Sequence, residues 1–253
     1  MRVLSVARDL QRRHARERHG LFVAEGVRTV FELLRSPLTL RSALTAPDFT
    51  HDQSLLSALR ERGIPVQEVT AAEFASAAGT ETPQGILAIA EVPKHDLTSI
   101  PLTEPFRLIV LDAVQDPGNV GTIVRTAAAL GAAAIVSLPG TVDLWNAKVV
   151  RSSMGALFHH PTLACTWEEL TSFRARHQVS LWGADATGES LSTLAKARGG
   201  IPSRLAIAVG NEGSGLSAQT RQGADKLVSV EIAASVDSLN VAVATGILLY
   251  ELR

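Results

Sequence analysis

Three short stretches combine glycines, amides and charged side chains in a way that could serve chemistry at a bound ligand. The first, Ala113-Val114-Gln115-Asp116-Pro117-Gly118-Asn119, runs into a helical pattern that carries Arg125. The second is Gly210-Asn211-Glu212-Gly213-Ser214-Gly215. The third is Ala233-Ala234-Ser235-Val236-Asp237-Ser238, followed by Leu239 and Asn240. Gly210, Gly213 and Gly215 allow sharp turns and close approach of backbone to a ligand. Asn119 and Ser238 stand where N-cap residues belong, and a helix N-terminus offers unpaired N–H donors. Each stretch alone is ordinary turn and cap chemistry. All three follow an apolar run, and together they suggest one site.

The standard alternatives are missing. No GxGxxG follows a first strand, there is no GxxxxGK[ST], and Glu212 would repel a pyrophosphate. HExxH and GxSxG are absent. His159 and His160 are neighbours that point apart and read as structural or surface residues. Cys165, the single cysteine, excludes an intrachain disulfide and reads as a buried thiol. No metal site is predicted.

The elements that must position these loops follow from apolar periodicity. Leu21–Ala24, Leu40–Thr45, Val66–Val69 and Gly85–Ala90 read as strands. Val27–Arg35, Ser54–Arg62 and Ala71–Ala78 read as helices between them. This βαβ rhythm predicts a mostly parallel sheet. Residues 91–106 hold three prolines and little periodicity, which marks a linker, placed at 96–106, between domains 1–95 and 107–253. Beyond it, strands are predicted at Arg107–Asp112, Ala133–Ser137, Val179–Ala184, Leu205–Val209 and Leu227–Ile232. Helices are predicted at Val120–Leu130, Val142–Arg151 and Leu239–Leu252. If this sheet is parallel, the three loops leave strand C-termini on one edge, where open α/β sheets bind ligands. Arg125 falls away from the apolar stripe of its helix and rises from that edge.

Bulk properties fit this α/β class. The 253 residues are 46% hydrophobic and 19% charged, with only 4% aromatic, so aliphatic side chains form the core. The net charge of −1 gives no global attraction to nucleic acid. A local one exists in residues 1–18, a predicted basic helix with Arg8, Arg12, Arg13, Arg16 and Arg18. No apolar run reaches the ~20 residues of a membrane span, and no signal sequence is evident, so a cytoplasmic location is expected.

Asn119-x-Gly121-x-x-x-Arg125, Val209-Gly210-Asn211-Glu212-Gly213 and Asp237-Ser238-Leu239-Asn240-Val241 resemble, in order, the three motifs of the SpoU (TrmH-type) branch of the SPOUT RNA methyltransferases. Phe22-Val23-Ala24-Glu25-Gly26 and Thr82-Pro83-Gln84-Gly85 are similar to segments of the substrate-binding domain of its ribosomal-RNA members. The resemblance implies a SPOUT domain with a deep C-terminal trefoil knot, a small N-terminal α/β domain, and a homodimer. It implies S-adenosylmethionine as cofactor, contacted by Val209, Gly210, Asn211, Gly213, Ile232 and Leu239. Asn119, Arg125, Glu212, Ser238 and Asn240 are the implied catalytic residues, with Arg125 acting on a ribose 2′-hydroxyl. The implied RNA-binding residues are Arg8, Arg12, Arg13, Arg16, Arg18 and Glu25. The chain departs from the family at Ile232-Ala233-Ala234, where many members have Ile-Pro-Met. Ribosomal RNA is the expected substrate. A tRNA substrate, a non-catalytic RNA-binding homologue and an unrelated nucleotide-binding enzyme are the alternatives.

Overall fold

The computed structural model describes residues 3–49, 52–196 and 200–252. The chain forms two compact units that interleave in sequence. Unit 1 comprises Met1–Lys94 and Trp145–His159, and unit 2 comprises His95–Leu144 and His160–Arg253.

Unit 1 runs α1 (Val3–Asp9), α2 (Arg13–His19), β1 (Leu21–Glu25), α3 (Val27–Arg35), β2 (Leu40–Thr45), α4 (Gln53–Glu61), β3 (Val66–Glu68), α5 (Ala71–Ala77) and β4 (Ile86–Glu91). Its sheet order is β1-β4-β2-β3. Only β2–β3 is parallel; β4 is antiparallel to both β1 and β2. The predicted parallel sheet is therefore corrected here. The irregular stretch 78–85 after α5 returns the chain to the sheet edge it had left, so β4 runs backwards. The single helix predicted over 1–18 is two short ones among the described residues, α1 and α2, and its first two positions lie outside them. Arg16 Nη1 donates to the carbonyls of Leu10 and Gln11 at 2.7 and 3.0 Å, satisfying groups that a break after α1 leaves open.

Unit 2 begins with β5 (Phe106–Asp112), α6 (Pro117–Ala129) and β6 (Ala134–Ser137). The chain then contributes α7 (Ala147–Ser152) to unit 1. Asn146 caps that helix through Lys148 N, so the predicted start at Val142 is too early. Phe22 packs on Trp145 and Phe158, with ring centroids 4.5 and 5.8 Å apart. Unit 2 resumes with β7 (Thr162–Ala164), α8 (Trp167–His177), β8 (Ser180–Ser190), α9 (Leu191–Lys196), β9 (Arg204–Gly210), α10 (Ala218–Gly223), β10 (Lys226–Ser229) and α11 (Val241–Leu252).

The six strands order as β10-β8-β9-β5-β6-β7, and every pair is parallel. The central strands β5 and β9 are apolar because helices cover both faces of such a sheet. Their inner residues, Leu108–Leu111 and Leu205–Val209, are buried. Parallel pairing places the C-terminal ends of β5, β9 and β10 on one edge. β10 stops at Ser229, opposite Ser190, the last residue of β8. Ile232, predicted within that strand, consequently lies in the loop beyond it.

Candidate active site

The first loop begins under strain. Ala113 follows β5 with φ 58°, in the left-handed region that costs a non-glycine residue energy. Its carbonyl accepts a hydrogen bond from Asn211 Nδ2 at 3.0 Å, and buried Asp112 accepts one from Ser217 N at 2.7 Å. The first and second loops are thus fastened together at their roots. Asp116, not Asn119, caps α6: its carboxylate accepts from Asn119 N at 2.8 Å, with Pro117 opening the helix. Asp-Pro is a readable start signal, since Pro fits the first helical position.

That substitution of roles frees the Asn119 side chain. Its Nδ2 donates to Glu212 Oε1 at 2.9 Å, and its Oδ1 accepts from Asn240 Nδ2 at 2.9 Å. Asn240, in turn, accepts from Ala242 N and Val243 N at 2.9 and 3.3 Å, which makes it the cap of α11 in place of Ser238. One hydrogen-bonded chain, Glu212–Asn119–Asn240, therefore joins all three loops.

Glu212 completes the clasp. Its carboxylate also accepts from Gln115 N at 3.2 Å and Asp116 N at 3.1 Å. Burial pushes this carboxyl up, but the Asn119 amide and the backbone N–H groups of Glu212, Gln115 and Asp116 outweigh that and hold it below its ordinary value. An acceptor-only group suits a position faced by these four donors. Within the second loop, Asn211 Oδ1 accepts from Gly213 N and Ser214 N at 2.9 and 3.0 Å. A Cβ on Gly210 would lie 2.2 Å from the carbonyl carbon of Gly215, so only glycine fits. At Gly213 the nearest atom would be 3.6 Å away, an ordinary contact. Val209 has its side chain in the core.

The third loop, residues 230–240, has no regular structure beyond a turn in which Val236 N donates to Ala233 O. The backbones of Ile232 and Leu239 make no hydrogen bond with any described residue. Their free amides and carbonyls flank apolar side chains, a donor set that fits a nucleoside such as S-adenosylmethionine. Arg125 is exposed on α6, and neither it nor the Ser238 hydroxyl has a partner among the described residues. The structure thus brings together Asn119, Glu212 and Asn240 and leaves Arg125 and Ser238 outside the chain.

In unit 1, Arg8 donates to Ser76 Oγ at 2.7 Å, Arg12 pairs with Asp9, and Arg13 pairs with Glu17 at 2.7 Å. These three and Arg18 are exposed. Arg16 and Glu25 are each 5% exposed; Glu25 accepts from Gly79 N and from the Thr80 hydroxyl. Those two residues serve the fold. Among the described residues there is no cluster of three or more metal-ligating side chains, and no helix is long and apolar enough to cross a membrane.

Residues 107–250 match the SpoU rRNA Methylase family, and residues 5–88 match the MRM3-like substrate binding domain. The chain belongs to the SpoU rRNA methylase family. Its six parallel strands and three joined loops are the SpoU unit. A relative from Bacillus subtilis, the 23S rRNA (guanosine(2553)-2′-O)-methyltransferase RlmP, is 32% identical over 97% of this chain and 94% of its own length. The 23S rRNA (guanosine-2′-O-)-methyltransferase RlmB of Escherichia coli is 32% identical over 78% of this chain and 82% of its own. The SpoU methyltransferase AviRb from Streptomyces viridochromogenes, solved in complex with the cofactor AdoMet, superposes with a TM-score of 0.86 at 29% identity, covering 98% of this chain and 96% of that one.

Proposed function

We infer that this protein transfers the methyl group of S-adenosylmethionine to a ribose 2′-hydroxyl of ribosomal RNA. The observation that carries this reading is the Glu212–Asn119–Asn240 chain, which locks three loops together at the sheet edge from which α6, with the exposed Arg125, rises. RlmP and RlmB, both 23S rRNA 2′-O-methyltransferases, support ribosomal RNA as the substrate.

In this reading the second and third loops hold the cofactor through Val209, Gly210, Asn211, Gly213, Ile232 and Leu239, and with α11 they form the knot that the family resemblance implies. When bound, the cofactor supplies a sulfonium-activated methyl carbon. The 2′-oxygen would gain that carbon as its bond to sulfur breaks, the electron pair staying on sulfur as a neutral thioether, and would lose its proton. Arg125 would face the hydroxyl; a guanidinium is a poor base, so the hydroxyl's proton would reach it only as one of its own N–H protons passes to a substrate phosphate beside it. Asn119, Glu212, Ser238 and Asn240 hold the loops and the hydroxyl in line, and alignment supplies much of the rate. A 2′-hydroxyl restricts the substrate to RNA. Unit 1 presents the RNA through Arg8, Arg12, Arg13 and Arg18. The enzyme works in the cytoplasm as a homodimer.

The test is to map ribose methylation in ribosomal RNA from a strain lacking this protein and to restore it in vitro with purified protein and S-adenosylmethionine. A single 2′-O-methyl site disappears and returns. Arg125→Ala binds the cofactor within about twofold of wild type but transfers methyl at least ~100-fold more slowly. An unchanged methylation map, or full turnover by Arg125→Ala, would overturn the reading.

A further inference from the structure

The third loop carries two assigned cofactor contacts yet has little structure of its own. Its far end is fixed by Asn240. Its near end leaves the sheet edge, because β10 has no neighbour beyond β8. What holds that end is a set of contacts to β8 and α9. Ser229 Oγ donates to Gly188 O at 3.0 Å. β10 approaches so closely that a Cβ on Gly188 would lie 2.4 Å from Val228 N. Two residues further on, the Glu231 carboxylate turns back to the same place. It accepts hydrogen bonds from Ser190 Oγ and, at 3.0 Å, from Ser192 Oγ. Those hydroxyls are themselves 3.0 Å apart. Ser190 ends β8 and Ser192 lies in the first turn of α9, so both sit on ordered backbone.

We propose that Glu231 is a positioning residue for the cofactor: its clasp on Ser190 and Ser192 presets the backbone at Ile232 and so governs cofactor affinity. The proposal rests on the assignment of Ile232 and Leu239 as cofactor contacts. Its physical basis is preorganisation. The run Ala233-Ala234 has no proline to restrict it, and a loop that must be ordered on binding gives up affinity to conformational entropy. A charged acceptor held by two hydroxyls removes part of that loss beforehand. Glu231 is bonded to Ser190 and Ser192 and not to Arg125, so the chemical step with cofactor in place does not depend on it.

Titration calorimetry with S-adenosylmethionine tests this on the full chain. Glu231→Ala raises the cofactor Kd about tenfold. Glu231→Gln, which keeps an acceptor oxygen, raises it less than about threefold. The double variant Ser190→Ala/Ser192→Ala reproduces the effect of Glu231→Ala, and the triple variant adds nothing further. At saturating cofactor, kcat and the KM for RNA match wild type in each. Cofactor affinity unchanged in Glu231→Ala would overturn the proposal, as would additive losses in the triple variant or an equal fall in kcat. Hydrogen exchange of the wild-type chain separates the two readings. Cofactor-induced protection across residues 230–240 supports the contacts at Ile232 and Leu239; without it, that assignment fails whatever the variants do.

Discussion

Asn119 is the residue on which the site turns, and its importance comes from having two different ends. The amide nitrogen can only donate and the oxygen can only accept, so one side chain links a carboxylate on one loop to an amide on another. The type and position of Asn119, Glu212 and Asn240 are readable in the sequence; their mutual bonds, across 93 and 121 residues, are not. No pattern of spacing reports which loops meet. Glu212 makes the sharpest residue-scale prediction. Glu212→Gln places an NH₂ either against both the Asn119 amide and the Asp116 N–H or against the Gln115 N–H, a donor facing a donor. The variant loses stability and most methyl transfer near neutral pH. Because the folded carboxyl lies below its ordinary 4.5, its ionised form is what the fold favours. Its contribution is therefore full above about pH 5 and disappears as pH falls through the folded value. Urea unfolding across a pH series checks this: the gap between wild type and Glu212→Gln is constant above about pH 5 and closes in acid. A gap that persists unchanged in acid would show that the charge is irrelevant.

Elements whose pattern is purely local were legible. The limits of α3 and β2 are those that periodicity predicts, Val27–Arg35 and Leu40–Thr45. The direction of β4 was not, because a helix followed by a strand reads the same whether or not an irregular turn reverses the chain between them. α8 was unassigned despite a reciprocal cap, in which Thr166 and Glu169 satisfy each other's backbone N–H groups; its weakly segregated face hid it. The last helix shows how a strand can hold an element from beneath. Arg107, on β5, is buried and donates to the carbonyls of Phe106, Pro202 and Ser203 at 2.9, 3.2 and 3.1 Å, and to that of Leu252 at the end of α11. Burial lowers the affinity of this guanidinium for its proton, and the carbonyls compensate the desolvation. Arg107→Leu leaves those acceptors without donors and costs about 3 kcal/mol, with faster amide exchange concentrated in α11. Thermal unfolding and hydrogen exchange would both have to remain at wild-type values for the clamp to be dismissed.

At the scale of the whole molecule, chain order and spatial grouping part company. Residues 145–159 fall within the stretch that sequence continuity assigns to one domain, 107–253, yet they pack in unit 1, where Phe22 receives Trp145 and Phe158. The exposed apolar surface is equally uneven. Every large hydrophobic residue exposed among the described residues, namely Ile232, Val236, Val243 and Tyr250, belongs to the third loop or α11. On α11 the buried positions Ala242, Thr245, Leu248, Leu249 and Leu252 face the unit, while Val243, half-buried Ile247 and Tyr250 recur at i, i+4 and i+7 on another face. A concentrated patch of this kind marks an association surface rather than scattered exposure. A two-fold contact between copies would bury it against itself, since the same patch serves both partners. The homodimer proposed above would therefore assemble through α11 and the adjoining loop. Sedimentation at about 10 μM, a concentration at which an interface of ordinary size stays closed, should show a dimer for wild type. Val243→Glu/Tyr250→Glu sets like charges against each other across the two-fold axis and shifts the protein to monomer without unfolding it. A wild-type monomer at that concentration, or a double variant that remains dimeric, would place the dimer elsewhere or remove it.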